Sequence, residues 1–476
     1  MKSLMRPFLV YLRNYSRRKH VRPWSLSAPI IVLLICLPLL APLRHPLKSQ
    51  MSDEEMARLA TVQAIVEQQT FAIEATDFAG TRQKIRVADV YYSDQAPTQG
   101  LLLSGPYWLM HHFGLRFKDN PGLVEYLLIL IGVTIPVAAA AGMLYRMGRL
   151  FELRRPWRAG LALAVVLGSG MISYATVLNP YAPAAALVLG AAAIMVQVSL
   201  VRSPIRSGGY LTAAGFFAAL AAAIDPPAVV FTILFAGVIL VMRWRWSLRI
   251  GGVLMYCIGI IPPVLLHLTL SLPVTGDWRL GLSSLPNSRV LPLPMLHNPA
   301  IKTVDGDDGS LLGPPTLWQE MGTFIGRLIA SLFGDHGILT HFPVLIFGMF
   351  GVASVVRRHW PPTTKMLALA TAGGGLIIML RYICLPIDFR WGMFGMRWYM
   401  LFLPFLLFWA GAWIRRKHHP VVWGTAVALL VFSVGVSLLG ATDPMPRNGY
   451  DQYSVSGAFH HLFSIVPEEP QSLADR

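Results

Sequence analysis

Long apolar runs separated by short polar connections dominate this chain. A first run covers 27–43. Others follow at 123–145, 159–178, 182–201, 210–224, 228–242, 251–272, 337–355, 366–386, 398–414 and 421–440. About 20 mostly apolar residues cross a hydrocarbon core as a helix. The pattern therefore predicts an all-α, polytopic transmembrane bundle of about 11 spans. No internal repeat is visible, and the alanine-rich patches at Ala184–Ala193 and Ala213–Ala223 predict close helix packing.

The polar connections alternate in charge. One set carries Arg146, Arg149, Arg154, Arg155 and Arg158, then Arg202 and Arg206, then Arg243, Arg245 and Arg249, then Arg357 and Arg358, then Arg415, Arg416 and Lys417. Cytoplasmic loops of membrane proteins are enriched in arginine and lysine, so this set is expected inside. Of all the acids, only Glu152 falls on that side. Residues 1–26 form a basic N-terminus without acids, expected in the cytoplasm, and 27–43 reads as an uncleaved signal anchor. The transmembrane domain then covers 27–440. Its first external loop is 44–122 and its second long external loop 273–336, and 441–476 forms an external tail. Two further expectations concern these loops. The apolar stretch Leu101 to Phe113, interrupted by Gly105 and Pro106, is too short to span and reads as interfacial or re-entrant. The Gly-, Asp- and Pro-rich segment 298–315 reads as flexible.

Composition agrees with a lipid environment. Of the 476 residues, 54% are hydrophobic and only 13% charged, against about 25% charged in soluble domains. The net charge of +16 would suit nucleic acid, but the basic residues sit at the ends of apolar runs, where they set topology. No nucleic-acid partner is expected. Cys36, Cys257 and Cys384 lie inside apolar runs without metal-ligand spacing and read as packing residues. No cofactor is expected, and nothing in the spacing supports a divalent metal.

The chemistry concentrates in loop one. Ser52-Asp53-Glu54-Glu55 forms a capping box, Ser52 with Glu55 three residues on. Asp53 and Glu54 then fall in the first turn, where the helix dipole favours negative charge, and Glu54 can pair with Arg58 four residues later. All this is explained by helix stability alone. The same geometry also holds a carboxylate rigidly beside the headgroups, where it could take a proton from an acceptor hydroxyl. Asp225, before Pro226 and Pro227, reads as a turn or cap residue. His111, His112 and His267 read as interfacial or packed histidines.

Read as a whole, loop one resembles the C-type (GT-C) membrane glycosyltransferases, in particular the bacterial members related to protein mannosyltransferases and aminoarabinose transferases. Asp53-Glu54-Glu55 through Arg58 is similar to their acidic opening. Tyr91-Tyr92-Ser93-Asp94-Gln95-Ala96-Pro97 is similar to their Y-x-x-D-K-x-P segment. Weaker likenesses follow in order at Asn179-Pro180-Tyr181, Asp225-Pro226-Pro227, Phe333 to Gly337 with Asp335 and His336, and Gly392 to Arg397-Trp398-Tyr399. The resemblance implies transfer of a sugar from a polyprenyl-phosphate donor to a lipid, glycan or protein acceptor, on the external face of a bacterial inner membrane. It implies Asp53 as the catalytic base and Glu54, Arg58, Asp94, Gln95, His336 and Arg397 as substrate-binding residues. One arginine at the mouth of a span would hold the phosphate by its planar donor fork. Arg397 is best placed for this, with Arg390 and Arg381 as alternatives, although an arginine beside Trp398 and Tyr399 also suits a headgroup anchor. Gln95 departs from the family lysine. Either another cation such as Lys84 or Arg86 takes that role, or the donor differs, or the chain binds a polyprenyl lipid without catalysis. A transporter or flippase is the remaining alternative, disfavoured by the absence of duplicated halves and by acids that lie outside the apolar runs.

Overall fold

The computed structural model describes residues 51–87, 90–198, 204–241, 246–275, 290–292, 317–334, 336–384, 394–395, 397–416, 418–441 and 444. The anchor 27–43, the segment 298–315, Asp335, Arg390, Gly392 and the tail beyond 444 lie outside them. Helix α1 is Asp53–Gln63, continued by a π-helical turn, Ala64–Gln68. Strands β1, Lys84–Val87, and β2, Val90–Ser93, precede α2, Pro97–His112. The membrane helices then begin: α3, Pro121–Phe151 with a π-helical turn inside it; α4, Arg155–Gly168; α5, Tyr181–Val198; α6, Pro204–Ile224; α7, Val229–Val241; and α8, Trp246–Thr275. After β3, Val290–Pro292, come α9, Leu317–Phe333; α10, Ile338–His341; α11, Leu345–Arg357; and α12, Pro362–Cys384. The chain continues through a short 3₁₀ turn, Arg397–Tyr399, to α13, Leu403–Phe408; α14, Ala410–Ile414; and α15, Pro420–Gly440.

The chain is a polytopic helical bundle. Each apolar run of the sequence from 123 onward falls on one or more of these helices. Among the described residues, six helices are long and apolar enough to cross a membrane, or seven if a pair bent by 95° near Pro343 is one span. Several begin with proline in their first turn, as at Pro121, Pro362 and Pro420, where the missing N–H costs nothing. Helix α15 shows the solvent these helices expect. It exposes Val427 and Val431, the latter at 64%, and buries Ser433 and Ser437 completely. Ser433 receives the amide of Val344, and the carbonyl of Ser437 receives Ser173 Oγ at 2.6 Å. Apolar-out, hydroxyl-in packing is stable in lipid and not in water, because interhelical hydrogen bonds hold such bundles where no hydrophobic drive acts between helices.

Contacts between loops sort as the charges do. Arg415 pairs with Glu152 at 2.5 Å and lies over Trp360, and Arg416 donates to Ser354. The other set of connections meets separately. Leu178 N donates to Glu55, Tyr174 to the Phe394 carbonyl and Thr176 to the Ala441 carbonyl. The loops expected to be cytoplasmic therefore contact one another, and so do those expected to be external.

The helical fold class holds, with one small sheet added: β1 pairs antiparallel with β2, Lys84 opposite Ser93 through Val87 opposite Val90, and β3 pairs antiparallel with the other edge of β1. The alternating, aromatic and β-branched residues of 84–93 around a two-residue link carry that signal. The sheet ties the second long loop to the first. In addition, Gly105 and Pro106 do not interrupt the apolar stretch, which is one continuous helix, α2. Its buried stripe of Leu103, Tyr107 and Met110 outweighs local helix breaking, since tertiary packing of one face supplies most helix stability. Trp108, Leu109 and Phe113 stay exposed, as an interfacial helix requires.

The bundle is tightest where α6 meets α8. A methyl group on Gly215 would lie 2.0 Å from the Tyr256 carbonyl oxygen, and one on Gly259 1.9 Å from that of Thr212. Backbone cannot yield as a flexible side chain does. Gly259→Leu is expected to lower the melting temperature of the purified protein in detergent, with a cost of at least about 1–3 kcal/mol from overpacking. Gly251→Leu, at a position with open space, is the control and should leave it unchanged.

Candidate functional site

The site starts from the cap of α1. Ser52 Oγ accepts from the amide of Glu55 at 3.3 Å, and Glu55 Oε2 accepts from the amide of Ser52 at 3.2 Å. The capping box read from sequence is therefore formed. Successive residues on a helix point about 100° apart, so the three acids address three neighbours. Asp53 turns to the loop before β1, where its two oxygens accept from the Arg82 amide at 3.2 Å and from Arg82 Nε at 2.7 Å. Glu54 turns into the bundle and pairs with Arg397. Glu55, besides capping, accepts from the amide of Leu178.

Glu54 is the hub. Both it and Arg397 are nine-tenths buried. Arg58 donates to the Glu54 backbone oxygen at 3.0 Å and lies 3.5 Å from its carboxylate. Its other nitrogen donates to Gln95 Oε1 at 2.6 Å, and Gln95 Nε2 donates to Asp94 Oδ1 at 2.6 Å. The hairpin makes this possible, because β2 ends at Ser93 and delivers Asp94 and Gln95 to the start of α1. The Arg397 guanidinium also lies over the rings of Tyr181 and Trp398, 5.5 and 5.2 Å from their centroids. Five of the sequence-derived site residues, Glu54, Arg58, Asp94, Gln95 and Arg397, thus form one network. Asp53 stands beside it, held by Arg82. His336 lies in an aromatic group, stacked on His341 with centroids 6.3 Å apart.

Lys84 and Arg58 stand differently toward Gln95. Lys84 is engaged by the Ala79 carbonyl at 3.0 Å and lies over the Tyr91 ring. The cation beside Gln95 is Arg58. Gln95 also lines a small open cleft together with Thr61, Phe71, Tyr92, Leu270 and Ser271. Among the described residues no group of three or more metal-ligating side chains forms.

Two carboxyls here are displaced from their usual range. Burial raises Asp94 to about 7; the hydrogen bond from Gln95 works against the rise and the charge of Glu54 adds to it. Burial likewise raises Asp225 to about 7, against the pull of Arg58, Arg381 and Arg397. Sequence reasoning read Asp225 as a turn or cap residue, noted Tyr181 only within a short motif, and missed Tyr382, whose place near the arginines arises from helix packing. For Asp94, a folded-state pKa above the ordinary carboxyl value of 3.8 means that its contribution to stability is present below about 4 and is lost as pH rises through about 7. A protonated carboxyl band in infrared difference spectra is expected to disappear through that range and to be reduced in Asp94→Asn. A band of full intensity in that variant would remove Asp94 as its source.

Solved structures similar to this chain include oligosaccharyltransferases and ArnT. The Archaeoglobus fulgidus oligosaccharyltransferase in its apo form is similar with a TM-score of 0.47 and 11% identity, over 94% of this chain and 62% of that one. The same organism's AglB, solved with an inhibitory peptide and a dolichol-phosphate, gives 0.48 and 10%, over 94% and 61%. ArnT from Cupriavidus metallidurans, in the apo state, gives 0.45 and 15%, over 84% and 62%. The chain therefore spans about three fifths of the length of these proteins. No protein-family model and no curated protein sequence matches it. At such identities a shared course of the chain does not specify a substrate.

Proposed function

We propose that this protein is a membrane glycosyltransferase that moves a sugar from a polyprenyl-phosphate carrier to a hydroxyl-bearing lipid, glycan or protein on the external face of a bacterial inner membrane, with its N-terminus in the cytoplasm. The observation that carries the reading is the charge balance of the buried network. Two guanidiniums, Arg58 and Arg397, share one carboxylate, Glu54, while Asp94 and Asp225 are shifted toward the neutral form. A buried site with an excess of positive charge favours an anion, and arginine forks match phosphate oxygens.

In the proposed step the acceptor oxygen attacks the anomeric carbon and its proton passes to Asp53. The bond from that carbon to the phosphate oxygen breaks, and the polyprenyl phosphate leaves with the electron pair. Arg58 and Arg397 stabilise the charge that develops on the leaving oxygen. Phosphate is a good leaving group, so one base suffices, unlike the paired carboxylates of glycoside hydrolysis. Asp53 can be released for this role by movement of Arg82, whose side chain is 66% exposed.

The test is an assay in membrane vesicles with a labelled polyprenyl-phosphate sugar, in which label should move from the carrier to an acceptor. The Asp53–Arg82 pair also favours a second reading, a protein that binds the carrier lipid without catalysis. Binding without any transfer would select it. Movement of an intact solute across sealed vesicles would select a transporter.

A further inference from the structure

Helix α9 carries Met321, Ile325, Ile329 and Phe333 at four-residue spacing, each between 45% and 63% exposed. Residues four apart lie on one helix face, so these form a single apolar stripe. Residues two positions away lie about 200° round the helix. Arg327 and Ser331 stand there, turned to protein. Arg327 donates to the Ile383 carbonyl at 3.2 Å, and Ser331 is completely buried. Ile383 belongs to the last turn of α12, where carbonyls have no intrahelical partner. Helix α9 is thus fastened at one end of a helix long enough to span, the end remote from Arg357 and Arg358. The chain also changes direction after it. Phe324–His341, which holds the second half of α9 and α10, meets α11 at 95°. Pro343 stands in the link, where a helix cannot continue undisturbed. Helix α11 is joined to α12 by residues 358–361 and packs against it, as short-linked antiparallel neighbours do.

We propose that α9 lies in the plane of the membrane surface, with Met321, Ile325, Ile329 and Phe333 seated among the lipid chains just beneath the headgroups. It is not the first half of a span. The occupant of the stripe is the bilayer itself. Helix α10, directly after α9, packs against α15, whose Val427 and Val431 already present an apolar face outward. The stripe extends that lipid-facing surface from the spans to the loop before them. A helix with polar residues held on protein and an apolar stripe outward suits the boundary between headgroups and chains. The placement also sets that boundary beside the arginine site. Tyr382, next to Ile383 in the last turn of α12, stacks on Trp398 with centroids 5.4 Å apart, and Arg397 lies over the same Trp398 ring. The inference does not depend on the proposed reaction.

The experiment attaches a nitroxide to Met321→Cys, Ile325→Cys, Ile329→Cys and Phe333→Cys, one at a time. The background is the full-length chain with Cys36→Ser, Cys257→Ser and Cys384→Ser, in vesicles of phosphatidylethanolamine and phosphatidylglycerol. Electron paramagnetic resonance with oxygen and a nickel chelate as relaxing agents reads the depth of each label. Val427→Cys and Val431→Cys on α15 calibrate the scale, because four residues along a span differ in depth by about 6 Å. The four α9 labels are expected at similar depths, spread over less than about 6 Å, where a span would spread them over about 18 Å. Oxygen should relax all four more strongly than the chelate does. A depth that increases steadily from each label to the next would make α9 part of a span and overturn the proposal. Stronger relaxation by the chelate would place the stripe in water, and shielding from both agents would place it against protein; either result overturns the proposal too. Any two of the four labels distinguish these outcomes, so loss of one variant leaves the test intact.

Discussion

Arg397→Ala is expected to abolish donor binding and to destabilise the protein at the same time. The side chain is nine-tenths buried, with its guanidinium engaged by Glu54 and lying over Tyr181 and Trp398. Its removal leaves the Glu54 carboxylate with Arg58 alone, so the loss should not exceed the roughly 3–5 kcal/mol that breaking a buried pair costs. The catalytic loss should be about 10²–10³-fold, the usual effect of deleting one donor to a developing negative charge. The two effects can be separated. Arg397→Met combined with Glu54→Gln removes both charges and should recover most of the melting temperature without recovering transfer or donor affinity. Recovery of donor affinity in the double variant would show that Arg397 is structural only.

Asp53→Asn is expected to reduce transfer by about 10²–10⁴-fold, the range for loss of a general base, with donor affinity close to wild type. The fold should tolerate the change, because asparagine still accepts from Arg82 and suits the first turn of a helix. Arg82→Ala is the informative partner. It frees the Asp53 carboxylate, so transfer in that variant should be retained or raised. If Asp53→Asn transfers sugar at the wild-type rate, the base lies elsewhere in the network. If Arg82→Ala is as inactive as Asp53→Asn, the ion pair itself is needed, and Asp53 acts by holding the loop before β1.

Much of the fold could be read from sequence because lipid imposes simple rules. Apolar runs gave the helices, and arginine placement sorted the loops into two contacting groups. Ser52 and Glu55 announced a helix start that is present. What sequence could not give was mostly non-local. The pairing of β3 with β1 joins segments about two hundred residues apart in the chain, and no pattern in either half names the other. The partnership of Glu54 with Arg397 spans 343 positions. Position 397 was singled out for its place before an apolar run; its carboxylate partner was not foreseen. Asp225 was read as a turn or cap residue from the prolines after it; it does stand at the start of that turn, and only the packed structure reveals that its side chain makes no capping hydrogen bond. Gln95 was noted as a lost charge. The structure shows Arg58, one helix away, standing at that spot.

The three adjacent acids of α1 have a consequence for how this loop can vary. Each addresses a different neighbour, Arg82, Arg397 or the Leu178 amide. The helix is therefore keyed like a lock cylinder: its angular setting, and not its total charge, decides which oxygen meets the guanidinium. Exchanging Asp53 and Glu54 preserves composition and charge, yet it puts a side chain one methylene shorter against Arg397 and a longer one against the loop before β1.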